Sequence, residues 1–172
     1  MPDYTPDFST FKSLADDHNL IPVYREISAD LETPVSAFLK LAESENAFLL
    51  ESVEGGEKWA RYCFLGVDTS VVLRSKGRTV TIERGGESKT WQTKGDPLDA
   101  LKSLMAAYRP VAVEGLPRFY GGAVGYLSYD MVRFFEQLPK RAADDLDLPD
   151  AQFMITDTLV VFDNVAQKIK VV

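Results

Sequence analysis

The chain has 172 residues and 19.2 kDa, with 45% hydrophobic and 26% charged residues and a formal net charge of −7. That length holds one domain with a sizeable core, or a large piece of a bigger fold. The composition is that of an ordinary globular protein, and the acidic balance disfavours a broad electrostatic grip on nucleic acid or anionic lipid. One cysteine, Cys63, excludes an internal disulfide and any cysteine-rich zinc site. One histidine, His18, excludes a histidine-pair metal site and weakens a Ser-His-Asp triad. No apolar run approaches the ~20 residues of a membrane span, and Met1-Pro2-Asp3 opens no signal peptide. These features predict a protein of a reducing cytoplasm.

Residues 8–18 read as a short helix with Phe8, Phe11, Leu14 and Ala15 on one face and Asp7 or Ser9 as N-cap. Ile21 to Ile27 reads as extended. Thr33-Pro34 starts a second helix, with Val35, Phe38, Leu39 and Ala42 as its apolar stripe. A run of strands follows: 47–53, 61–66, 71–75, 79–83 and 89–93. Gly55-Gly56 breaks the first from the second, and Lys76-Gly77 and Gly85-Gly86 are turn signals that predict consecutive antiparallel hairpins. Asp96-Pro97 repeats the cap-plus-proline signal before Leu98, Leu101, Leu104, Met105 and Tyr108 at helical spacing. Residues 109–117 read as a loop, 119–126 as a glycine-rich strand and 130–135 as a short helix. Residues 141–150 read as an acidic loop, and 153–162 as one long apolar strand. Asp163-Asn164 starts a turn, and Lys168 begins a return strand in which the sequence stops. A stop in mid-hairpin predicts a piece of a longer protein. The expected class is α+β, with mainly antiparallel sheets packed as a sandwich with flanking helices. No domain linker is visible.

No phosphate-binding glycine loop, dinucleotide fingerprint or G-x-S-x-G elbow is present. The Asp144, Asp145, Asp147 and Asp150 cluster lacks the turn glycine and closing glutamate of a calcium loop and reads as a solvated face. His18 reads as a helix C-terminal cap. Two segments carry more. Phe48-Leu49-Leu50-Glu51-Ser52 closes an apolar strand on a carboxylate and a hydroxyl, and Arg61-Tyr62 opens the next with a cation and a phenol. If those strands pair, the four polar groups gather at one sheet end. Glu51 can then take the ammonium of an amino acid, and Ser52 and Arg61 can donate to its carboxylate. An ordinary surface ion pair at a hairpin end accounts for the same residues. The second segment runs from Phe119 to Asp130. Its Gly121, Gly122 and Gly125 allow close backbone approach, either to a ligand or to another element.

Taken together these segments resemble the N-terminal region of anthranilate synthase component I and of the related aminodeoxychorismate synthase component I. The likeness starts near Pro22-Val23-Tyr24-Arg25-Glu26 and passes through Asp30 to Val35. It includes Leu-Leu-Glu-Ser, Arg61-Tyr62 and the Gly-Gly-Ala-Val-Gly-Tyr-x-x-Tyr-Asp-x-Val-Arg run with its Glu-x-Leu-Pro tail, and closes on 157–163. The resemblance implies an N-terminal regulatory domain over 1–172, with the catalytic chorismate-binding domain and its magnesium beyond this sequence. No catalytic residue, metal or cofactor is then expected within it. In the complete enzyme, chorismate plus ammonia or glutamine would give anthranilate and pyruvate, with a glutamine amidotransferase subunit as partner. L-Tryptophan would be the feedback inhibitor, with Leu50, Glu51 and Ser52 at its site and Arg61 mapping onto a basic residue nearby. Tyr126 is expected to help line the indole slot. Arg61 either contacts the ligand or holds Glu51. The same region of aminodeoxychorismate synthase and a free-standing amino-acid-binding module are the alternatives. Cys63 stands where the family often has serine and reads as a small core residue.

Overall fold

A computed structural model describes residues 4–42, 46–52, 61–67, 69–139 and 143–172. The chain divides into two compact units, residues 1–69, 108–122 and 156–172 in the first and 70–107 and 123–155 in the second. Each unit carries a five-stranded sheet, and the class is α+β.

In the first unit, α1 (Phe8–Leu14) is capped by Asp7, whose carboxylate accepts from Thr10 N at 2.8 Å. The helix is shorter than the sequence pattern suggests. His18 N donates to the Leu14 carbonyl and its Nδ1 lies 3.3 Å from the same oxygen, so His18 finishes the helix as expected. Strand β1 (Arg25–Ser28) follows, then α2 (Pro34–Leu41). Thr33 and Ser36 satisfy each other's backbone N–H groups in a reciprocal capping box. Strands β2 (Phe48–Leu50) and β3 (Tyr62–Gly66) come next, and β9 (Leu159–Asp163) and β10 (Lys168–Val171) return near the chain end. The sheet order is β1-β10-β9-β3-β2. Its registers, including Leu50 opposite Phe64 and Tyr62 opposite Asp163, are antiparallel. One face packs Cys63, Leu65, Val160, Phe162 and Ile169 with Ala37 of α2. Cys63 is fully buried, as its core reading requires, and its Sγ accepts weakly from Asn164 Nδ2 at 3.6 Å. The predicted Gly55-Gly56 connection, Val53 and Ala60 lie outside the described residues.

In the second unit, β4 (Val71–Lys76), β5 (Thr79–Arg84) and β6 (Glu87–Gln92) form the two expected hairpins. Gly85 and Gly86 both take positive φ, 56° and 85°, the twist that a two-residue hairpin turn demands. Arg84 therefore pairs directly with Glu87, and β6 begins two residues before the expected Lys89. Helix α3 (Leu98–Met105) follows Asp96, whose carboxylate accepts from Leu98 N at 2.9 Å. Strand β7 (Gly122–Leu127) leads into a short helix, of the 3₁₀ type, over Tyr129–Phe134, where a short helix over 130–135 is expected. Ser128 makes no side-chain capping bond, and Met131 N instead reaches back three residues to the Ser128 carbonyl. Strand β8 (Ala151–Thr156) completes the order β6-β5-β4-β8-β7.

The single long strand expected over 153–162 is thus two strands. The chain breaks at Asp157-Thr158, and β8 pairs with β4 while β9 pairs with β3 and β10 in the other sheet. Phe153 to Ile155 and Leu159 to Phe162 are apolar without alternation, so the hydrophobic run hides a change of partner. The acidic loop is pinned as well as solvated. Lys76 meets the carboxylates of Asp144 and Asp147, and Asp150 accepts from Gly77 N at 2.7 Å. Lys140, Arg141 and Ala142 lie outside the described residues.

Candidate functional site

The antiparallel β2–β3 ladder places Leu50 opposite Phe64. Glu51 and Ser52, both exposed, leave β2 at the sheet end where Arg61 leads into β3 at Tyr62. The polar ends of the two segments are therefore at the same end of the ladder, as the sequence suggested. Glu51 and Ser52 present a carboxylate and a hydroxyl to solvent, with the half-exposed Leu50 just before them.

Arg61 has a partner that spacing alone does not reveal. Its Nε and Nη2 donate to Asp163 Oδ1 and Oδ2 at 3.0 and 2.7 Å, a two-pronged grip across 102 residues of sequence. Asp163 Oδ1 also accepts from Val165 N at 3.2 Å and Ala166 N at 3.0 Å, which closes the turn after β9. Asn164 N donates to the Arg61 carbonyl at 2.8 Å. The guanidinium carbon stands 4.9 Å from the centre of the Tyr62 ring. The buried carboxylate that Arg61 grips is Asp163, at 3% exposure. Burial works to raise the Asp163 pKa. The Arg61 guanidinium and the two turn N–H groups outweigh it and hold the carboxyl below its ordinary value. Asp163 in turn raises the pKa of Arg61.

Tyr126 belongs to the second unit, on β7, and its hydroxyl donates to the Pro149 carbonyl at 3.2 Å. The glycines preceding it serve the sheet. A Cβ on Gly125 would stand 1.9 Å from the Gln152 carbonyl oxygen, so the close approach allowed at this position is to β8. Among the described residues, no group of three or more His, Cys, Asp or Glu side chains could hold a metal ion.

A second charged group lies on β1 and β10. Lys170, nearly buried, and Lys168 both donate to Glu26, and Lys170 Nζ stands 4.9 Å from the centre of the Tyr24 ring. The two lysines lower the pKa of Glu26, Lys168 first. Sequence pattern gave no sign of this cluster, because its members are 142 and 144 residues apart.

Comparison with known proteins gives these features a family. The description "chorismate binding enzyme" matches residues 45–172. The anthranilate synthase component 1 of Acetivibrio thermocellus is 44% identical over 170 residues, 98% of this chain and 34% of that protein. Its counterpart in Pseudomonas aeruginosa is 46% identical over 160 residues, 90% of this chain and 32% of that protein. The crystal structure of anthranilate synthase component I from Streptococcus pneumoniae aligns with a TM-score of 0.51 at 25% identity. That alignment covers 85% of this chain and 30% of that one. The chain therefore spans about a third of the length of these curated relatives. With a family match running from just before β2 to the last residue, the chain belongs to the chorismate binding enzymes.

Proposed function

We propose that this chain is the tryptophan-sensing part of an anthranilate synthase component I. The complete enzyme would convert chorismate with ammonia or glutamine to anthranilate and pyruvate, using magnesium held outside the residues described here. A glutamine amidotransferase subunit would supply ammonia, and the setting would be the cytoplasm. The observation that carries the reading is identity of 44% and 46% to proteins named anthranilate synthase component 1, over nearly the whole of this chain.

The sensing role rests on the end of the β2–β3 ladder. A zwitterionic amino acid needs an anion for its ammonium and donors for its carboxylate. Glu51 supplies the first and Ser52 part of the second. Arg61 contributes a fixed positive edge: Asp163 takes its Nε and Nη2 donors and leaves Nη1 at a side chain that is 43% exposed. The test is an inhibition curve for the full-length enzyme carrying Glu51→Ala, each variant scaled to its own uninhibited rate. Loss of a charged hydrogen-bond partner costs about 1.5–3 kcal/mol, so half-inhibition should need roughly ten- to a hundred-fold more tryptophan. An unchanged curve from a folded variant would return Glu51 to the role of an ordinary surface carboxylate.

A further inference from the structure

We infer that the β5–β6 hairpin and α3 form a second ligand site, which takes a small aromatic monocarboxylate and uses none of the residues of the sensing role. A groove of about 610 Å³ lies in the second unit, a volume within the range of small-molecule sites. Ile82 and Trp91 of the hairpin and Leu104 of α3 form its apolar floor. Arg84, Glu87 and Lys89 form its rim.

Register explains why these side chains meet. Arg84 is opposite Glu87, Ile82 is opposite Lys89 and Val80 is opposite Trp91. Opposed residues share a face of the sheet, and so do residues two apart along a strand. The three pairs therefore point to one face. Thr81 and Thr90, and Thr79 and Gln92, take the other face and bond to each other in those pairs. Val80 is fully buried, while Ile82, Trp91 and Leu104 are partly exposed, so apolar area remains for a ligand to cover. Polarity thus falls along the face, from the charged pair beside the Gly85-Gly86 turn to the indole of Trp91. Each register step is about 7 Å, so a one-ring acid spans the distance from rim to floor.

The charges of the rim are unpaired. Among the described residues the side chains of Arg84, Glu87 and Lys89 make no hydrogen bond or ion pair, although Arg84 and Glu87 stand opposite each other. All three are exposed. Two cations against one carboxylate leave the rim with one net positive charge, which suits a monoanion. The whole chain is acidic, at −7, so this attraction is local and fades beyond a Debye length. A carboxylate between Arg84 and Lys89 takes charge-assisted bonds, and its ring lies on Trp91, Ile82 and Leu104. A neutral ring lacks the first contact and an aliphatic acid lacks the second. Anthranilate, the product of the proposed reaction, is of this ligand class, but the inference stands on the groove's own residues.

The test is fluorine NMR of the full-length protein labelled with fluorotryptophan, the Trp91 signal being assigned by its loss in Trp91→Phe. Benzoate should shift that signal saturably. Benzyl alcohol, which lacks the charge, and acetate, which lacks the ring, should each bind at least about ten-fold more weakly. The double variant Arg84→Gln/Lys89→Gln changes two exposed residues and keeps the reporter. Its dissociation constant for benzoate should rise roughly ten- to a hundred-fold. A Trp91 signal that benzoate does not move would overturn the site, as would equal binding of acetate or benzyl alcohol. An unchanged dissociation constant in the double variant would overturn it too, since the shift would then come from benzoate bound elsewhere.

Discussion

Arg61 and Asp163 are joined by two parallel hydrogen bonds across the β3–β9 ladder, and Asp163 is almost wholly out of water. The same carboxylate caps the turn after β9 through Val165 and Ala166. One buried side chain therefore fixes the start of β3 and the β9–β10 turn together. The end of the ladder that carries the candidate site is held from behind by a residue that never needs to meet a ligand.

That arrangement fixes a direction of acid sensitivity. The native pKa of Asp163 is lowered from its ordinary value of 3.8. Its contribution is complete above the ordinary value and is lost as pH falls through the lowered native one. Asp163→Asn should therefore be less stable at neutral pH, and the gap to wild type should narrow in that acid range. Denaturant melts of both proteins at a series of pH values would measure it, the difference curve removing the parallel effect of Glu26. Asp163→Ala, which leaves the turn N–H groups without their acceptor, should cost about 1–3 kcal/mol at neutral pH.

Gly125 should be the least tolerant glycine of β7. An added Cβ would meet backbone atoms of β8, 1.9 Å from the Gln152 oxygen and 2.7 Å from the Phe153 Cα, and backbone cannot swing aside. Gly125→Ala should cost about 1–3 kcal/mol by overpacking. Gly95→Ala, whose nearest neighbour is the Asp99 side chain at 3.2 Å, should cost well under that. Thermal melts of the two variants check the contrast.

The hairpins were legible because their cause is local. A glycine pair sets the turn, and the turn sets the pairing of Arg84 with Glu87. Helix caps at Asp7 and Thr33 were legible for the same reason. The division into two units was not. Two of its four boundaries fall at residues 122–123 and 155–156, inside β7 and β8, where a strand shows no linker composition. The split of 153–162 into β8 and β9 was hidden because both halves are apolar, and only the sheet partners distinguish them. At the candidate site the residue types and their gathering on one ladder end could be read. The grip of Arg61 on Asp163 could not, since neither periodicity nor spacing links positions so far apart.

The 172-residue chain alone should form no anthranilate. It spans about a third of the length of its curated relatives, and its described residues offer no cluster of metal ligands. The purified chain, incubated with chorismate, ammonia and magnesium, should give no anthranilate fluorescence above a protein-free control. A magnesium-dependent signal that follows protein concentration would contradict this. The chain alone should also bind tryptophan more weakly than the full-length enzyme, measured by calorimetry on both.

The Glu26, Lys168 and Lys170 cluster should respond unequally to removal of its two signs of charge. Lys170 has only 7% of its side chain exposed, against 33% for Glu26 and 51% for Lys168. Glu26→Gln leaves the nearly buried ammonium of Lys170 without that counter-charge, against the face of the Tyr24 ring. That variant should lose about 1–3 kcal/mol. Lys170→Met removes the buried charge itself and fills the same space with an unbranched apolar chain. Glu26 then keeps Lys168, at 2.6 Å, in a solvated pair. The cost should be under about 1 kcal/mol, since replacing a buried charge by packed apolar volume is often nearly neutral. The order of the two variants matters more than either value. If the cluster acts as a simple sum of attractions, both changes should hurt alike, since each deletes the same Glu26–Lys170 contact. If desolvation of Lys170 dominates, Glu26→Gln is the more damaging. Chemical denaturation of both variants and of the double variant at neutral pH separates the two accounts. Equal losses in the single variants would show that burial of Lys170 is not what governs the pair.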